Sequence, residues 1–144
     1  MNFAAQIVID RPRQRVIELI RNTEYLVHWQ PGWEYGPLLK GELDQVGAQR
    51  RVRVELSGFH LEMIETIVAS NLPDLFSFVY VARGVQNRVE NRFYEEAPET
   101  TRWVLRNNFQ FSGLMAFVGP FVGDFVPKQT AEAMRRFKLF AERS

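Results

Sequence analysis

The chain contains no cysteine. That excludes a disulfide scaffold, a thiolate metal site and a cysteine nucleophile, and it fits a reducing, cytoplasmic setting. Histidine is scarce. His28 and His60 stand far apart, without the HExxH spacing that holds a zinc ion, so no metal site is expected. An excess of one charge is missing too: 18 basic side chains face 17 acidic ones, for a net charge of +1. That balance gives no reason to expect a nucleic-acid partner or a polybasic membrane contact. Long apolar runs are absent. The longest, Leu114–Val126, is interrupted by Asp124 and falls short of the ~20 residues that span a bilayer, so no stable membrane insertion is expected. The opening "MNFAAQIVIDRPR" has its basic residues after its apolar run, which does not read as a secretory leader. There is no glycine-spaced phosphate loop, no nucleophile elbow, no repeat and no linker. One domain over residues 1–144, with no cofactor, is the expectation.

Aromatic residues are plentiful. They make up 13% of the chain, and 12 of them are phenylalanine. Phenylalanine has no polar handle, so that excess belongs in a core or a hydrophobic cavity. A chain of this length buries roughly 68–70% of its unfolded surface and needs no staples.

Periodicity supplies the elements. "NFAAQIVID" alternates as a strand, with Phe3, Ala5, Ile7 and Ile9 on one face. "DRPRQRVIELIRN" reads as a helix, with Asp10 as a candidate cap and Pro12 in the first turn. Asn22 or Thr23 caps a second short helix that Pro31–Gly32 ends. Six strands follow: "WEYGPLLKGEL", broken at Gly36–Pro37, then "AQRRVRVEL", "FHLEMIETIVAS", "DLFSFVYVA", "VQNRVENRFYEE" and "RWVLRNNFQF". Roughly Thr130–Arg143 repeats its apolar residues at helical spacing.

Alternation gives the sheet two faces. Arg51, Arg53, Glu55, His60, Glu62, Arg88, Glu90, Arg92, Arg102 and Arg106 fall on one, read as solvated. The other is apolar from Val52 to Phe111 and needs a cover, which only the last helix is long enough to give. Polar residues on that apolar face mark a candidate site, because an unpaired buried polar group costs about 1–3 kcal/mol. Strand parity puts Asn91, Asn107 and Tyr80 there, and Glu65 as well unless a bulge near Ile64 turns it outward. Trp103 lies on the same face. A few polar groups converging in an apolar space is the usual form of a small-molecule site.

The order strand, two short helices, six strands, long helix resembles the helix-grip fold of the START/polyketide-cyclase (SRPBCC) superfamily, an α+β fold. The resemblance is carried by "IVIDRPRQRVIELIRNTEYLVHW", by "VASNLPDLFSFVY" with its central proline, and by "ETTRWVLRNNFQF" before the last helix. It implies a curved antiparallel sheet of about seven strands wrapped around the carboxy-terminal helix. It also explains "GLMAFVGPFVGDFVPKQ" (113–129) as the approach to that helix and its first turns. Glycines and prolines should bend this segment, turning Phe117, Phe121 and Phe125 inward as a lid or cavity wall. The resemblance implies binding of a small hydrophobic or amphipathic ligand such as a lipid, quinone or aromatic polyketide, for transport or sensing. The binding residues would be Glu65, Tyr80, Asn91, Trp103, Asn107, Phe117, Phe121 and Phe125. No catalytic motif is found. The alternatives are a cyclase/dehydratase-like enzyme, with Glu65 as its acid or base, and a protein-interaction module of the chaperone-activator type. Monomer and homodimer both stay open.

Overall fold

The computed structural model describes every residue except Ser57 and Val118, and every side chain except also those of Leu56, Phe59, Pro120, Phe121 and Val122. Strand β1 (Asn2–Ile9) is followed by α1 (Arg13–Arg21), a 3-10 turn (Thr23–Tyr25) and α2 (Leu26–Trp29). Strands β2 (Trp33–Lys40), β3 (Gln49–Leu56), β4 (Phe59–Asn71), β5 (Leu75–Ala82), β6 (Val85–Ala97) and β7 (Thr100–Phe111) come next. A second 3-10 turn (Gly113–Phe117) leads into α3 (Gly119–Arg143).

The strands form one antiparallel sheet in the order β1-β7-β6-β5-β4-β3-β2, so each hairpin partner is the next strand in sequence and β1 closes onto β7. As the broken pattern at Gly36–Pro37 implies, β2 is an edge strand whose register slips between Tyr35 and Leu38. A proline costs a sheet least at such a place. Gly32 sets the start of β2 against β3. Its φ is +91°, and a Cβ there would lie 2.2 Å from the Glu55 carbonyl oxygen, so only glycine fits.

Two local expectations need correction. Asp10 does not cap α1. Pro12 stands at the cap position with no side-chain bond, and the Asp10 amide instead donates to Glu142 Oε2 at 2.8 Å, tying β1 to the end of α3. Asn22 does cap, accepting from the Glu24 amide at 3.0 Å. The last helix is longer than its apolar periodicity suggested, starting at Gly119 and running through Pro127. Proline has no amide to donate, so the helical ladder is interrupted there.

The buried residues form two groups. The first joins Ile9, Val16 and Leu19 to Trp29, Phe93, Trp103, Met134 and Phe137, bringing the sheet, α1, α2 and the second half of α3 together. Trp103 meets Phe137 edge-on at 5.4 Å between centroids. The second is a wall of sheet residues alone: Val52, Val54, Met63, Tyr80 and Val89, with Trp33, Tyr35 and Phe78 packed against it. Among the described residues no side chain of α3 belongs to this wall.

Candidate functional site

Directly opposed residues of neighbouring strands share a face. Glu65 on β4 lies opposite Arg50 on β3 and Tyr80 on β5, and Tyr80 lies opposite Asn87 on β6. This row therefore crosses the apolar wall from strand to strand. The irregularity in β4 falls between Ile67 and Ala69, beyond Glu65, so the carboxylate stays on the inner face.

Its side chain is only 3% exposed. Arg50 reaches Glu65 Oε1 with Nε at 3.4 Å and Nη2 at 3.5 Å, and its guanidinium sits 4.2 Å above the centre of the Tyr35 ring. The hydroxyls of Tyr35 and Tyr80 share a hydrogen bond of 3.1 Å. Trp33 and Phe78 flank Tyr80 at 5.6 and 5.0 Å between centroids. Two tyrosines, a glutamate and an arginine thus meet in aromatic surroundings.

Burial dominates the electrostatics of this quartet. It raises the Glu65 carboxyl above its ordinary value, although the charge of Arg50 and the hydrogen-bonding groups of Tyr80, Tyr35 and Arg50 pull the other way. Burial also raises both tyrosines, helped at Tyr35 by the charge of Glu65 and at Tyr80 by its neighbours Tyr35 and Glu65. The hydroxyls stay protonated, and the carboxyl accepts a proton more readily than a surface glutamate. Such a cluster can orient a polar group by hydrogen bonds or move a proton.

The other expected site residues divide. Asn91 is buried but occupied: its Oδ1 accepts from Trp103 Nε1 at 2.9 Å, and its Nδ2 donates to the Phe76 carbonyl at 3.4 Å. Asn91 and Trp103 therefore satisfy each other within the first core. Asn107 is also buried, and its Oδ1 accepts from Asn87 Nδ2. The structure does not bear out the inward direction expected for the phenylalanines of 113–129. Phe117 is 78% exposed on the second 3-10 turn, and Phe125 is 41% exposed on α3; the Phe121 side chain lies outside the described residues. His28 stacks on Phe140 at 4.8 Å and His60 is exposed.

A cleft of about 520 Å³ lies elsewhere, where β6 runs on past the start of β5, between Arg13, Asp74, Arg92 and Tyr94. Its arginines are already engaged: Arg13 with Asp74 at 2.7 Å and Arg92 with Glu90 at 3.1 Å. It is separate from the Glu65 row, none of whose residues lines it.

Sequence reading missed Arg50, Tyr35 and Asn87. Two signals were present. Arg50 has the parity of Val52 and Val54, and Asn87 that of Val89 and Asn91. Tyr35 was hidden because the Gly36–Pro37 bulge breaks the alternation that would have assigned it a face.

No family model and no curated protein sequence matches the chain. Solved structures do. The chain is similar to the Zhui aromatase/cyclase from Streptomyces sp. R1128, with a TM-score of 0.83 and 15% identity over 99% of this chain and 94% of that one. It is similar to Ara h 8.0201, with a TM-score of 0.76 and 11% identity over 100% and 99% of the two chains. TTHA0849 from Thermus thermophilus gives 0.72 and 18% over 99% and 95%. At such identities the shared property is the fold. It is the helix-grip fold, as the element order implied.

Proposed function

We propose that this protein binds a small hydrophobic or amphipathic molecule against the inner face of β2–β5, with the Glu65 row orienting the molecule's polar group. One observation carries the reading: four hydrogen-bonding side chains, Tyr35, Arg50, Glu65 and Tyr80, converge within a buried apolar wall built of sheet residues. Apolar surroundings with a few placed polar groups are what a small-molecule site requires. The similarity to an aromatase/cyclase structure supports a fold that can host such a site, while the ligand is a matter for this chain's own residues. Native mass spectrometry of the freshly purified protein, with a fluorescent apolar probe alongside, tests it. A co-purified lipophile, or probe emission that a competing amphiphile removes, is expected. A clean mass with no probe response would overturn it.

A second reading is favoured by the state of Glu65. A buried carboxyl raised above its ordinary value, beside tyrosine hydroxyls, is suited to general acid–base work of the cyclase/dehydratase kind. Glu65→Gln would then abolish turnover of a poly-carbonyl substrate while leaving its binding in place. Turnover that survives the change would remove this reading.

A further inference from the structure

Arg50 and Glu65 do not saturate one another. Nε and Nη2 reach the same carboxylate oxygen, at 3.4 and 3.5 Å. Those are long contacts beside the ~2.7–2.9 Å of a tight charge-assisted pair. A guanidinium carries five N–H donors in a fixed fork, and Nη1 hydrogen-bonds nothing among the described residues. Yet Arg50 is only 16% exposed, and its guanidinium rests over the Tyr35 ring, 4.2 Å from the centroid. The fold thus holds an oriented cation with donors to spare.

We infer that the spare edge of Arg50 takes the acidic head of an amphiphile, a carboxylate or an acidic phenol on an apolar tail, and that Glu65 takes up a proton from solvent as it binds. This rests on the ligand-binding reading above and names the ligand class. The reason is charge balance. Arg50 and Glu65 are neutral as a pair, so a second anion would leave two negative groups around one guanidinium inside an apolar wall, where unpaired charge is costly. Protonating Glu65 restores neutrality, frees Arg50 for the ligand and turns the carboxyl into a hydrogen-bond donor. Burial already disposes Glu65 to be neutral. The charged and titratable groups acting on it are Arg50 from β3, Tyr35 from β2 and Tyr80 from β5. Both tyrosines hold their own protons, which leaves Glu65 as the acceptor. A cationic head would be repelled by Arg50, and an uncharged head would call for no proton uptake.

Isothermal titration with decanoate and with 1-decanol, between pH 7 and pH 9 in buffers of low and high ionisation enthalpy, tests the inference. Decanoate should bind with uptake of about one proton, its affinity falling about tenfold per pH unit once Glu65 is ionised. Decanol should show neither effect. In Glu65→Gln, its fold checked by near-ultraviolet circular dichroism, decanoate should bind without uptake and with a flat pH profile. Should that variant not fold, the buffer dependence and pH slope of the unsubstituted protein decide. Decanoate binding without proton uptake overturns the inference, and so does uptake that persists in Glu65→Gln, where the ligand itself would carry the proton. Decanol binding with no decanoate binding overturns it and leaves the ligand-binding reading standing. Failure of both probes removes the two together.

Discussion

The two halves of the interior are built differently. Where α1, α2 and the second half of α3 meet the sheet, the contacts are aromatic and aliphatic. Phe137 is completely buried, with Trp29 and Trp103 edge-on to it at 5.2 and 5.4 Å. The asparagine there, Asn91, is satisfied on both sides of its amide. Across β2–β5 the same sheet keeps a glutamate, an arginine and two tyrosines among its valines. Stability alone does not call for them, since replacing a buried ion pair with well-packed apolar residues is often neutral or stabilising by about 1–4 kcal/mol. One half is made to hold the fold, and the other accepts a cost to present polar groups.

The sharpest way to break that contrast is to damage the first half. Phe137→Ala should destabilise by about 3–5 kcal/mol, because the helix side of the core loses a fully buried ring and cannot collapse around the gap. Denaturant unfolding reads this directly. In the second half, the double change Arg50→Met with Glu65→Leu should leave stability unchanged or raise it by up to about 4 kcal/mol, while removing binding of any polar-headed ligand. Similar losses from both experiments would show that the halves do not differ in kind.

Trp103→Phe tests the polar contact inside the first half. It keeps most of the ring and removes the donor to Asn91 Oδ1. The expected loss is about 1–3 kcal/mol, the cost of leaving a buried acceptor unpaired. Trp103→Phe with Asn91→Leu should recover part of it, which a packing defect alone would not allow.

How far the sequence revealed these halves depends on periodicity. Most strands were legible because alternation survives along much of their 8 to 13 residues, while β2 showed itself by its break at Gly36–Pro37. The same alternation placed Glu65, Tyr80, Asn91 and Asn107 on the inner face. It did not say which were spent on structure: the Trp103 bond that occupies Asn91 joins two strands, and strand parity carries no information about side-chain partners. Tyr35 escaped because a bulge resets parity, and Arg50 because an arginine next to Arg51, with Arg53 close by, looks like more of the solvent face. The segment around Phe117 misled in the opposite sense. Its apolar composition suggested burial, yet Leu114 and Phe117 are among the most exposed apolar residues described.

A pH titration sharpens the comparison further, because two carboxylates should move in opposite directions. Glu65 is raised in the folded state, so it binds more protons folded than unfolded above the ordinary glutamate value of 4.5. Its contribution therefore lowers stability as pH rises from there through the folded-state value, and levels off beyond it. Relative to Glu65→Gln, the unsubstituted protein should lose ground as pH rises above 4.5. Glu132, on the outside of α3, is lowered to about 2, first by hydrogen bonds from Arg135 and then by the charges of Arg135 and Arg136. Its contribution is present above 4.5 and is lost as pH falls towards 2. Solvent screening keeps that second effect small. A stability difference between Glu65→Gln and the parent that stays flat with pH would mean that Glu65 is not held in an apolar setting.

The smallest effect is expected at the surface, and it separates stability from access. Phe117 is 78% exposed, so Phe117→Ser should change unfolding free energy by no more than about 0.5 kcal/mol. If residues 113–129 border the way to the Glu65 row, the same change should alter the rate at which an apolar probe is taken up while its final affinity stays put. A rate that stays the same would confine the site to the sheet wall. A drop of several kcal/mol would restore the inward-facing Phe117 of the sequence pattern, because an exposed ring has no packing of that size to lose.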